Sequence, residues 1–156
     1  MADFTDHPTF DVAVVTPDGP VYEGEAYMLI VPGAAGEIGV LARHAPLVAT
    51  LMAGSTRIHV GANEMIELAT GPGFFKVELD RALALVDDAV RAKEIDDARA
   101  QAQLEAAQAE LAKIEAGEST ADRWQLEQRV KHAENQLAVA NGTTSPPIHT
   151  SAPVPG

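Results

Sequence analysis

Cysteine is absent from the 156-residue sequence, which removes disulfides, thiol nucleophiles and thiolate metal sites together. Aromatic residues make up only 4 % of it, and Tyr22, Tyr27, Phe74 and Phe75 read as core and rim rather than as a stacking platform. Basic residues are scarce as well, 11 against 23 acidic ones, for a net charge of −12. A nucleic-acid partner would need clustered Lys and Arg, so none is expected. No apolar run approaches the ~18 to 20 residues of a membrane span. Near the N-terminus stand Asp3 and Asp6 instead of a basic and apolar export pattern, so neither secretion nor organelle import is expected.

Catalytic signatures are missing too. His7, His44, His59, His132 and His149 never fall in metal-ligand spacing, and neither HExxH nor a Gly-x-Ser-x-Gly elbow occurs. Gly71-Pro72-Gly73-Phe74 lacks the Gly-Lys-Ser/Thr of a phosphate loop and reads as a tight turn. Asp87-Asp88 and Asp96-Asp97 are adjacent pairs, and neighbours on a strand or helix diverge, so neither is expected to converge on one site. Nothing here favours an enzyme, and no metal or cofactor is expected.

What is present is a core. Hydrophobic residues account for 46 % of the chain, enough for one ordinary domain plus an appendage. Met1 to Pro8 is polar and reads as loose. From Phe10 to Val86 short β-type runs alternate with Gly, Pro and Asp breaks. The candidates are 10–16, 27–31, 38–41, 47–51, 56–60, 65–69, 74–79 and 83–86. Such spacing predicts an antiparallel β-sandwich or barrel, and without helical crossovers a parallel nucleotide-binding sheet is not expected.

Periodicity changes at Ile95. Asp96 is a helix N-cap, and Ala100, Leu104, Ala107, Leu111 and Ile114 step by four and three. Gly117 ends that helix and Ser119 or Thr120 can cap the next. Leu126, Val130, Ala133, Leu137 and Ala140 repeat the stepping, up to Asn141-Gly142. Two matched seams predict an antiparallel helical hairpin with marginal packing, because alanine buries little area. The expected organisation is α+β: a β-sandwich over 1–90, a helical hairpin over 91–141 and a disordered Pro-rich tail over 142–156. Charge divides unevenly, −9 over residues 1–90 and −3 over 91–156.

The order of residues in Gly36-Glu37-Ile38-Gly39-Val40-Leu41-Ala42-Arg43-His44-Ala45-Pro46-Leu47 carries more than composition does. On physical grounds it is a hairpin with a glutamate and a histidine on its turns. As a motif it resembles the signature of the epsilon subunits of F-type ATP synthases. Phe10 to Pro17, Leu68 to Val77 and Ala84 to Asp87 resemble that family's first strand and closing hairpin. Ile95 to Ala100 resembles the start of its two-helix tail.

The resemblance implies a non-catalytic central-stalk subunit, peripheral on the cytoplasmic face of the cell membrane. It would join the gamma subunit to the c-ring and restrain ATP hydrolysis through the hairpin. Glu37 would face the c-ring, while His44, Ala45, Pro46 and Gly54 would shape the gamma surface. Arg123, Arg129 and Lys131 would meet an acidic segment of beta in the alpha/beta head. Ile95, Asp96, Arg99 and Ala100 match the family's nucleotide motif, but Val90, Ala106, His132 and Gln136 replace its remaining charged positions. Tight ATP binding is therefore not expected. Without the resemblance, a free-standing β-domain adaptor with a helical oligomerisation tail fits the same residues.

Overall fold

The computed structural model describes residues 6–142, so expectations for Met1 to Thr5 and for the tail over 143–156 lie outside it. Ten strands come first: β1 (Phe10–Thr16), β2 (Gly19–Ala26), β3 (Met28–Gly33), β4 (Gly36–Val40), β5 (Leu47–Leu51), β6 (Gly54–His59), β7 (Met65–Thr70), β8 (Gly73–Glu78), β9 (Arg81–Val86) and β10 (Ala89–Arg91). A 3₁₀ turn (Ala92–Glu94) leads to helices α1 (Asp97–Glu115) and α2 (Arg123–Ala140).

The strands follow one hydrogen-bonded path, β10-β7-β6-β3-β5-β8-β9-β1-β2, with β4 attached to β3. Between β3 and β5 that path narrows to a single pair, Gly33 with Leu51. The result is two five-stranded layers, β10-β7-β6-β3-β4 and β5-β8-β9-β1-β2, closed on a common core. Into the first layer's side of that core point Leu29, Val31, Val40, Ile58 and Leu68. Phe10, Val12, Val14, Phe75, Val77, Ala82, Ala84 and Val86 face them from the second. The strands of the second layer alternate as a one-sided sheet must: in β8, Phe75 and Val77 are buried while Phe74, Lys76 and Glu78 are exposed.

Each expected strand is present to within two residues, and three features differ. β2 and β10 went unassigned, because Gly19-Pro20 and Gly24 interrupt the first and the second has only three residues. β1 pairs β9 in parallel, so the sandwich is not wholly antiparallel; the first and ninth strands are edge-to-edge neighbours within the second layer, brought together from distant parts of the chain. The turn after β3 is Ala34-Ala35, with Gly36 at φ 135°, which puts Glu37 on a strand opposite Pro32 and not on a turn.

In the hairpin, Asp96 caps α1 by accepting from the Arg99 amide at 3.1 Å. Gly117, at φ 75°, follows its end. Asp122, not Ser119 or Thr120, caps α2, accepting from the amides of Trp124 and Gln125 at 3.0 and 3.4 Å. Ala100, Ala107, Leu126 and Ala133 are buried on the expected seams, but Val139 is buried where Ala140 was expected. The reason is a second packing face on α2. His132, Asn135 and Val139 recur with helical spacing on the side turned to the sandwich. Its first two members are polar, so hydropathy alone does not reveal it.

Candidate docking surfaces and the hairpin clasp

α2 lies against the outer face of the first layer, over β6 and β7. Asn135 anchors it: the side-chain amide donates to the carbonyls of Gly54 and Thr70, both at 3.1 Å. One turn earlier His132 meets the bend between β9 and β10. Its Nε2 is 3.2 Å from Asp87 Oδ2 and its Nδ1 is 3.5 Å from Asp88 Oδ2. The hydrogen bond to Asp88 raises the His132 pKa, against the opposing effect of burial and with help from Asp87. The same bond holds the Asp88 carboxyl below its ordinary range. This corrects the expectation that Asp87 and Asp88 diverge. They sit in a bend, where strand alternation does not apply, and both reach one imidazole.

Gly71 shows why the bend can close. A Cβ there would overlap the Asp87 carboxylate and lie 2.9 Å from His132 Cε1. Its amide donates to the Asp88 carbonyl at 2.9 Å, holding the bend against the β7–β8 turn.

Glu37 is buried, 8 % exposed, and both carboxylate oxygens accept from Arg57 Nη2, at 2.7 and 2.8 Å. Arg57 comes from β6, two strands away, and no sequence motif pointed to it. Alternation does: Glu37 on β4 and Arg57 on β6 share the outer face of the first layer, reaching diagonally across β3, where Pro32 pairs with Glu37 and Ile30 with Arg57. Next to them Ser55 donates to Glu67 at 2.8 Å.

His44, Ala45 and Pro46 lie together in the β4–β5 loop, with His44 Nδ1 2.7 Å from the Ala45 carbonyl oxygen. Gly54 is not with them. It follows β5 where they precede it, so five strand residues, about 16 Å, separate them. Its carbonyl is occupied by Asn135, and a Cβ would lie 2.7 Å from the Pro32 ring.

The loop adjoins a surface that motif matching missed. On the outer face of the second layer Val48 is 73 % exposed, Phe74 64 % and Leu85 47 %. Registers place Phe74 between Thr50 and Leu85, and Leu85 beside Val15. The helices cover the other layer and leave these side chains bare. The available signal was the strand alternation itself, with Phe74 and Leu85 out of phase with the buried Phe75 and Val86.

Ile95, Asp96, Arg99 and Ala100 do come together, along a groove of about 680 Å³ between the hairpin and β10. Val90, Ala106, Arg129, His132 and Gln136 line it as well. Arg129 thus faces the groove, whereas Arg123 is exposed at the hairpin tip, 3.8 Å from Glu115, and Lys131 is exposed on α2. Among the described residues no group of three or more His, Asp or Glu could hold a metal, and no helix is long and apolar enough to cross a membrane.

Fold and surfaces together define a β-sandwich protein with a docked helical hairpin on one layer and an exposed apolar face on the other. Residues 9–92 match the family described as ATP synthase, Delta/Epsilon chain, beta-sandwich domain. An ATP synthase epsilon chain from Laribacter hongkongensis is 42 % identical over 114 residues, 72 % of this chain and 81 % of that one. One from a Cyanothece species is 35 % identical over 134 residues, 86 % of this chain and 96 % of that one. Of solved structures, a chain of the Euglena gracilis mitochondrial ATP synthase (OSCP/F1/c-ring) shares the fold. Its TM-score is 0.69 at 22 % identity, over 85 % of this chain and 82 % of that one. The chain belongs to the ATP synthase delta/epsilon family.

Proposed function

We propose that the chain is a non-catalytic subunit of the central stalk of a proton-translocating F-type ATP synthase. Its sandwich binds gamma and the c-ring permanently, so that ring rotation reaches the catalytic head, and the complex holds it at the cytoplasmic face of the membrane. One observation carries this reading: the bare apolar face of Val48, Phe74 and Leu85 on a sandwich whose opposite layer is already covered. Exposed apolar patches of this kind are docking faces, and aromatic anchors dominate their energetics. Beside this face stands the loop of His44, Ala45 and Pro46, which takes the gamma contact with it. Glu37 is buried and held by Arg57 on the layer that the helices cover, so the c-ring contact is left to exposed residues elsewhere on the sandwich.

Pull-down of the tagged chain from solubilised membranes, with the co-purifying subunits identified, tests the assignment. Gamma and the c-ring subunit are expected with the parent chain and lost with Phe74→Asp. Recovery of neither with the parent would overturn it and favour the adaptor.

In this reading the hairpin is a brake on ATP hydrolysis, since its hold on the sandwich is narrow enough to release. Deleting residues 92–156 is then expected to raise hydrolysis by the purified complex, and Arg123→Glu with Lys131→Glu to reproduce part of the rise. Unchanged hydrolysis after the deletion would remove the brake and leave the coupling role. Tight ATP binding is not part of the reading. Arg99 and Arg129 share the groove with Asp88, Glu94, Asp96 and Glu110, and His132 is engaged by carboxylates. Three phosphates would find too little positive charge there. A saturable micromolar isotherm in calorimetric titration would overturn this point.

A further inference from the structure

We propose that His132 is a proton-operated clasp: as imidazolium it ties α2 to the β9–β10 bend through Asp87 and Asp88, and its deprotonation loosens the hairpin from the sandwich. The geometry carries the inference. Each ring nitrogen faces its own carboxylate oxygen, Nε2 toward Asp87 and Nδ1 toward Asp88. A charged imidazole has two N–H donors and serves both. A neutral one has a single donor, so the other nitrogen turns a lone pair toward a carboxylate. Losing the proton therefore removes a charge-assisted bond and leaves a repulsive contact in its place.

That contact is one of a small set of polar ties. Beside the clasp, Asn135 ties α2 to the strands through the carbonyls of Gly54 and Thr70, Gln136 hydrogen-bonds Asp88, and Gly71 leaves only enough room for the existing arrangement. Asp87 and Asp88 meet His132 directly, and further charged groups line the groove beside it. The bend supplies Asp87 and Asp88, the 3₁₀ turn Glu94, and the start and middle of α1 supply Asp96, Arg99 and Glu110. α2 itself adds Arg129, and the β7–β8 turn, Gly71-Pro72, adds no titratable group. Acids outnumber bases, so the surroundings favour the charged ring.

The direction with pH follows. His132 titrates above its ordinary value of 6.5 in the docked chain, so its contribution is complete below that value. It is lost as pH rises through the raised value. Asp88 titrates below its ordinary 3.8, so its contribution is present above that value and is lost as pH falls through the lowered one. The clasp is strongest on the mildly acidic side of neutrality and releases on the alkaline side.

Fluorescence energy transfer in the isolated full-length chain tests this apart from any effect on hydrolysis. The chain has no cysteine, so Asn63→Cys on the β6–β7 turn and Glu118→Cys at the hairpin tip are the only labelling sites. Between about pH 6 and about pH 9 the docked-to-undocked ratio is expected to fall roughly three- to tenfold. His132→Gln keeps a donor but cannot take a charge, so its ratio is expected to be lower at acid pH and flat across the range. The same pH response in His132→Gln as in the parent, or no response in the parent, overturns the proposal. A second arm approaches from the sandwich. In Asp87→Asn with Asp88→Asn, the His132 ring is expected to titrate nearer its ordinary value by nuclear magnetic resonance; an unchanged titration also overturns the clasp.

Discussion

The sandwich and the hairpin are stabilised by different means. Between the two sheets, Leu29, Val31, Ile58, Leu68 and Phe75 are fully buried, each contributing about 1.5–3 kcal/mol of transfer free energy. On the hairpin's inner seams the buried positions are Ala100, Ala107 and Ala133 with one large apolar side chain, Leu126. The hairpin's attachment to the sandwich rests on Val139 and on the polar contacts of His132, Asn135 and Gln136, and polar contacts each contribute only about 1 kcal/mol net. One chain thus carries a core-packed sandwich and a hairpin held to it by few contacts, and the difference lies in what stands at each contact.

The sharpest way to break this comparison is at its strong side. Phe75→Ala is expected to cost about 3–5 kcal/mol, the range for emptying a buried aromatic site. Denaturant unfolding followed in the β-sheet region of the circular dichroism spectrum reads it. A loss under 1 kcal/mol would mean that the core is less tightly packed than its burial indicates.

Arg57→Ala comes next. It leaves the Glu37 carboxylate buried without its partner, at a cost of about 3 kcal/mol by the same measurement. Arg57→Met with Glu37→Leu is expected to recover most of that loss, since an apolar pair of similar volume needs no counter-charge. If the double variant is no better than the single one, the pair does more than neutralise itself.

On the weak side, Asn135→Ala frees the carbonyls of Gly54 and Thr70 and is expected to cost docking about 1–2 kcal/mol. Hydrogen exchange should rise along α2 while the core strands stay protected. Equal loosening of both regions would show that hairpin and sandwich unfold together. The smallest effect belongs to Asp96→Ala, which removes the α1 cap and costs about 1 kcal/mol, read as fraying of the first turn.

Much of this division was already legible along the chain. Eight of the strands, both helices and the seams of Ala100, Ala107, Leu126 and Ala133 follow from local periodicity and from Gly, Pro and Asp punctuation. The Ile95 to Ala100 motif and the loop of His44 to Pro46 each hold together because their members are adjacent in sequence. Gly54 shows the limit: grouped with His44 by motif, it lies at the other end of β5 and serves the hairpin.

Local periodicity, caps and turn residues act within a few residues of one another, so the chain's order suffices to determine a β-sandwich followed by a helical hairpin. Contacts between distant segments obey no such spacing. The parallel pairing of β1 with β9, the Arg57 grip on Glu37, the bare face of Val48, Phe74 and Leu85, and the convergence of Asp87 and Asp88 on His132 arise only when strands and helices are laid side by side. Each depends on which face a residue presents and on what the fold brings opposite it, and only the packed structure decides both.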